Sequence, residues 1–219
     1  MSYSKSFRPD AKVFEEELAI HEMFPKVVCR HDNIGLDLIP EMLEMVEEFR
    51  DQTAGNKTLN VNSTHSTIET LHRLPVFKDL GEEILRVARG FMVEYGYANH
   101  RASDLYMAGM WFNHSTKGNF IFPHIHHGGF LSCAYYLKAD PEKHEVLFHD
   151  FQKNIQEEPA QFNARNSEVF AIPCKPGRLV IFHSDQPHGV PLQVHEDEKI
   201  VVAANMILRN VPKTEGRMA

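Results

Sequence analysis

The stretch Phe122–Leu137, FPHIHHGGFLSCAYYL, puts three histidines, His124, His126 and His127, into four positions and follows them with two glycines and a run of strand character. On a strand, residues i and i+2 point to the same face. His124 and His126 then lie one pleat apart, close enough to reach a single metal ion, and His127 points away. Two same-face histidines are more often ordinary polar residues than ligands, so the surrounding sequence has to decide.

Downstream of residue 104, short apolar and aromatic runs are punctuated by Gly, Pro, Asn and Asp. They are DLYMAGMWFN, GNFIFPHIH, FLSCAYYLK, EVLFHDF, SEVFAIPC, GRLVIFHS and KIVVAANMILRN. Runs of this length and spacing predict an antiparallel sandwich or barrel. Upstream the period changes. Ile39, Met42, Val46 and Phe49 recur at helical spacing within 37–53, with Pro40 suited to a first turn and Gly55 to a stop. Leu80, Ile84, Val87, Phe91 and Tyr95 form a second stripe within 77–95, with charges opposite. The stretch from His21 to Arg30 suits an edge strand. The expected fold is α+β: a double-stranded β-helix (jelly-roll) core over 104–211 with an N-terminal helical layer over 1–103, in a single domain spanning 1–219.

The chain has 219 residues, 42% of them hydrophobic, which suffices for one well-packed core. Its formal charge of −7 and lack of a basic run argue against nucleic acid as a main partner. No apolar stretch approaches the roughly 18 residues that a membrane helix needs, and the first residues lack the apolar core of a signal peptide. A cytoplasmic location is expected. Cys29, Cys133 and Cys174 are few, odd in number and far apart, which suits buried thiols rather than disulfides or a zinc knuckle.

A second histidine segment bears on the first. KPGRLVIFHSDQPHGVPL contains a Pro-Gly turn, an apolar strand, a short polar loop and then His188. In a jelly roll, strands near the start and the end of the barrel lie side by side, which brings His188 to His124 and His126. His183, at a strand end, reads equally as structural. Three ligands with open positions are what a redox metal needs to take a co-substrate and oxygen, whereas a closed structural site wants a fourth.

From Met110 to Asn205 the chain resembles the iron(II)- and 2-oxoglutarate-dependent oxygenases, in a family with bacterial and phage members. The shared pattern is carried here by Trp111 and Asn113, Gly118, His124 and His126, then Ser132 with Tyr135-Tyr136-Leu137. It continues through Phe148 and Asp150, Pro176 before Gly177, His188, Lys199 and Asn205; the earlier VNSTHSTIETL also fits. The resemblance implies a dioxygenase, most simply a hydroxylase. Fe(II) would be held by His124, His126 and His188, and oxidative decarboxylation of 2-oxoglutarate would give succinate and CO2. It further implies that Lys199 anchors the far carboxylate of 2-oxoglutarate, with Tyr136, Asn205, Asn113 and Ser132 lining its pocket. O2 and a small-molecule or peptide substrate would complete the reaction, with no nucleic acid or membrane involved. A homodimer is also an expectation of the resemblance.

Two positions depart from the common pattern. Most relatives carry His-x-Asp or His-x-Glu, whereas the middle position here is His126. Either three histidines form the triad or a carboxylate arrives from elsewhere, with Asp150 the first candidate. Three neutral ligands also suit Zn(II). A cupin-like zinc enzyme without 2-oxoglutarate, or a ligand-binding jelly roll without chemistry, therefore stays open. The second departure is Lys199 in place of Arg, a single point of charge where a two-pronged fork is usual. Its alternative reading is a solvated charge at the start of a strand.

Overall fold

A computed structural model describes residues 25–56, 60–152 and 159–209. In chain order the elements are β1 (Val28–His31), α1 (Ile39–Glu48), β2 (Ala54–Asn56), β3 (Val61–Ser63), α2 (Pro75–Glu94) and α3 (Asn99–Ser103). Eight further strands follow: β4 (Leu105–Ser115), β5 (Ile121–His124), β6 (Leu131–Lys138), β7 (Glu145–His149), β8 (Val169–Pro173), β9 (Leu179–His183), β10 (His188–Val190) and β11 (Lys199–Leu208).

The strands form two antiparallel sheets. The larger has the order β1-β9-β6-β11-β4-β3-β2, and the smaller β5-β10-β7-β8. The predicted jelly roll is therefore present, with sequence-distant strands side by side. Strands β1, β2 and β3 come from the first hundred residues, so that part of the chain extends the larger sheet as well as covering it. The predicted edge strand is β1, paired with β9; residues 21–24 lie outside the described residues. Gly55, read as a helix stop, instead lies within β2.

Strand β11 sits at the centre of the larger sheet, paired with β4 on one side and β6 on the other. Its continuous apolar run has a direct cause, because both its faces are covered. Ile200, Val202, Ala204 and Met206 point outward into the core shared with the helices, which includes Phe77, Leu80, Ile84 and Met42. The alternate residues Lys199, Val201, Ala203 and Asn205 face the smaller sheet. There Val201 joins Tyr136, Val146, Phe148, Ile172, Cys174, Val180 and Phe182 in a second cluster between the sheets.

The helices follow their periodicity. Met42 and Val46 of α1 are buried, as are Leu80, Ile84, Val87 and Phe91 of α2. Tyr95 completes the α2 stripe in sequence, but it follows the helix and is 44% exposed. Pro75 and Pro40 occupy first turns, where their missing N–H costs nothing. No helix among the described residues is long and apolar enough to cross a membrane.

Candidate metal centre

The three histidines gather where β5 and β10 run antiparallel. His124 ends β5 and faces His188, the first residue of β10, across the ladder. Their rings are 4.4 Å apart. His126 lies just beyond β5, so strand alternation alone does not place it. A backbone hydrogen bond does: its N–H donates to the Ser184 carbonyl at 2.8 Å. The turn can pass that close because residue 129 is glycine; a Cβ there would stand 2.5 Å from Ser184 Oγ. His127 is exposed, as the alternation predicts.

Ligand nitrogens of His124, His126 and His188 all lie within 4.8 Å of one another. His126 Nε2 and His188 Nε2 are 3.2 Å apart. Two imidazole nitrogens about 2.1 Å from one ion would stand about 3.0–3.4 Å apart, so this pair already has the separation of neighbouring ligands. Backbone carbonyls fix two tautomers. His188 Nδ1–H donates to the Gln186 carbonyl at 2.9 Å, and His124 Nδ1–H donates to the Phe122 carbonyl at 2.9 Å. Each leaves an Nε2 lone pair for a metal, the arrangement that outer hydrogen bonds impose on metal-binding histidines.

The electrostatics agree with the geometry. Burial, reinforced by the neighbouring His124, pushes His188 down to about 3. Burial, with His124 and His65 adding to it, pushes His126 down to about 4. Both imidazoles are neutral at physiological pH, the state a metal requires. Phe182 lies 4.4 Å from the His188 ring, centroid to centroid, and Phe148 lies 6.3 Å away. Both keep water from the inner side of the site. These observations fit a divalent metal held by three histidine nitrogens.

The candidate carboxylate ligand is elsewhere. Asp150 binds Lys26 Nζ at 2.9 Å and accepts from the Gln152 N–H, and it does not join the histidine group among the described residues.

The remaining candidates all reach the inter-sheet space. Ser132 Oγ–H donates to Asn205 Oδ1 at 2.8 Å and lies 2.8 Å from Ser184 Oγ, a hydroxyl–amide chain behind His126. Asn113 is buried and accepts from Ser63 Oγ–H at 2.5 Å. Tyr136 is buried beside Cys174, and burial holds its phenol well above the usual value. Lys199 is only 2% exposed. The reading of it as a solvated strand-start charge is overturned; the solvated charge is its neighbour Glu198, which binds Lys138 at 2.8 Å and His114 at 3.1 Å. Among the described residues, no hydrogen bond or ion pair engages Lys199 Nζ, and burial lowers its pKa.

Sequence reasoning assigned no role to Ser184, Gln186 or His65. His65 packs its ring edge against Trp111 at 4.6 Å, and Trp111 in turn lies 6.0 Å from the His126 ring. Its place in VNSTHSTIETL gave no sign of this, because β3 and β4 are brought together only by sheet pairing.

Residues 109–205 match the model of the family described as "Putative 2OG-Fe(II) oxygenase". No curated protein matches the sequence. Among solved structures, the chain is similar to HygX from Streptomyces hygroscopicus with nickel and 2-oxoglutarate bound, at 12% identity and TM-score 0.56, covering 83% of this chain and 82% of HygX. A prolyl-4-hydroxylase from Pseudomonas putida matches at 12% identity and TM-score 0.55, covering 84% of this chain and 94% of its own. The non-heme alpha ketoglutarate dependent epimerase SnoN from nogalamycin biosynthesis matches at 10% identity and TM-score 0.59, covering 83% and 78%. These likenesses bear out the fold, and the family match covers the segment holding all three histidines and Lys199. Over residues 109–205 this chain is similar to the 2OG-Fe(II) oxygenase family.

Proposed function

We propose that the protein is a non-haem Fe(II), 2-oxoglutarate-dependent oxygenase, most simply a hydroxylase, acting on a small-molecule or peptide substrate with O2. One observation carries the proposal: three histidines converge at one end of the jelly-roll interior, and that interior also holds Lys199, buried and, among the described residues, without a hydrogen bond or ion pair. His124, His126 and His188 would hold the iron, with the tautomers of His124 and His188 set by backbone carbonyls. Lys199 anchors the distal carboxylate of 2-oxoglutarate, whose charge compensates a cation that burial otherwise penalises.

When bound, iron and 2-oxoglutarate supply the oxidising chemistry, and the protein supplies placement. Phe148 and Phe182 exclude water beside His188. The Ser184–Ser132–Asn205 chain fixes the floor behind His126. Asn113 and Tyr136 present polar groups to the pocket. Trp111 and His65 pack together beside the His126 ring.

An anaerobic titration of metal-stripped protein with Fe(II), then 2-oxoglutarate, tests this reading. The expected result is a visible charge-transfer band that requires both additions, is lost in His124→Ala and weakens in Lys199→Ala. Absence of the band, with zinc recovered from protein as purified, would favour a zinc enzyme on the same three histidines.

A further inference from the structure

His144 occupies a position for which neither its sequence context nor the family match provides a role. It directly precedes β7 and continues the alternation of Val146 and Phe148, both of which face the inter-sheet cluster. Phe148 is the register partner of His188. His144 therefore lines the same interior as the metal histidines, four residues or about 13 Å further along the strand. It is 4% exposed.

Its tautomer is determined. The Asp140 backbone N–H donates to His144 Nδ1 at 3.0 Å, so Nδ1 is the acceptor and the proton of the neutral ring is on Nε2. That Nε2–H is buried and has no hydrogen-bond partner among the described residues. Leaving a buried donor unmade is costly, so such a group facing the inter-sheet interior points to a ligand. The nearby carboxylates do not serve it: Asp140 and Asp197 both bind Lys143, at 3.0 and 2.9 Å. Glu145 adjoins it in sequence but alternates to the opposite face of β7 from Val146 and Phe148.

The Cys174 N–H donates to the His144 carbonyl, and the Cys174 side chain lies beside Tyr136. Tyr136 is the register partner of Val201, which shares its face of β11 with Lys199. The charge of Lys199 is also felt at His144. Two donors without hydrogen-bond partners among the described residues thus share the end of the inter-sheet space remote from the three histidines.

We propose that His144 and Lys199 together bind the distal carboxylate of the co-substrate, with His144 Nε2–H donating to one oxygen and Lys199 Nζ to the other. The inference rests on the 2-oxoglutarate reading above. It also accounts for a lysine where an arginine is usual. A guanidinium offers two parallel donors to a carboxylate; here an ammonium and an imidazole, from opposite sheets, supply one each.

The test is calorimetric, on Fe(II)-loaded protein without oxygen, comparing 2-oxoglutarate with oxalate, a bidentate chelator that has no distal carboxylate. His144→Asn keeps an acceptor at the Nδ1 position and removes the Nε2 donor. It should weaken 2-oxoglutarate about 10- to 100-fold, the effect of one hydrogen bond to a charged group, and leave oxalate within about twofold of its unaltered affinity. His144→Gln, which restores an N–H at the Nε2 position, should recover most of the loss. Unchanged 2-oxoglutarate affinity in His144→Asn would overturn the inference, and so would equal losses for both ligands, which would mark a merely structural role. Unaltered protein that binds iron and oxalate but not 2-oxoglutarate would overturn the functional reading itself.

Discussion

Lys199 sets the proposed binding role against stability at a single side chain. Its ammonium is buried without a partner among the described residues, and burial lowers its pKa. In the ligand-free protein the charged form therefore opposes folding at any pH below its folded-state value. The penalty fades as pH rises through that value toward the unfolded value, about 10.4. Lys199→Met should raise the ligand-free protein's stability by about 1–3 kcal/mol at pH 7. The gain should shrink as pH is raised, and thermal melts across pH measure both. In the same variant 2-oxoglutarate binding should fall by an order of magnitude or more. The residues that the sequence revealed are those whose chemistry is unusual in itself, His124, His126 and His188. Those it hid are unusual only through their partners. Nothing in the sequence around His144 states that Nδ1 is used and Nε2 is not, and nothing beside Ser184 states that its carbonyl receives His126.

Strand β10 is three residues long, yet it carries His188, one of the three candidate metal ligands, between β5 and β7. Its position depends on Gly189. A Cβ there would stand 2.7 Å from the Ile121 carbonyl oxygen and 3.1 Å from the Pro123 nitrogen, both backbone atoms that cannot rotate away. Gly189→Ala should push β10 off β5 and separate His188 from His124. Iron stoichiometry should fall well below one while the circular dichroism spectrum is kept. Gly90→Ala in α2 is the contrast, because a Cβ there meets nothing within 4 Å. It should stabilise by about 0.5–1 kcal/mol through helix propensity alone.

At the far edge of the larger sheet, Asp32 follows β1 and holds Arg178 through two hydrogen bonds, at 2.6 and 2.9 Å, with Lys175 at 3.2 Å. The Arg178 hydrogen bonds hold the Asp32 carboxyl well below the usual carboxylate range. A depressed carboxylate contributes stability above its unfolded value, about 3.9, and loses it as pH falls through the lower folded value. Asp32→Asn should cost about 1–3 kcal/mol at pH 7, between a surface pair and a buried one. The cost should diminish on acidification below pH 4, as denaturant midpoints would record. The strand itself was legible from its apolar run; the clamp was not, since 146 residues separate its partners.

Across the whole molecule the larger sheet faces two ways. One face packs on α1 and α2 in a core built from regular periodicities, and the sequence disclosed that layer nearly complete. The other faces the smaller sheet, where apolar residues give way to His, Lys, Ser and Asn, and there alternation named the inward residues without their distances. His126 illustrates the limit: period two placed it on a strand, whereas it sits two residues past the strand end, held by the Ser184 carbonyl in the turn that follows β9. A different consequence follows from Trp111. It is the chain's single tryptophan, and its ring lies 6.0 Å from that of His126. All indole emission therefore originates beside the metal centre. Paramagnetic iron arriving there should quench it, while a diamagnetic ion should leave it bright. The molecule thus carries its own optical gauge of which metal occupies it, readable without label or substrate.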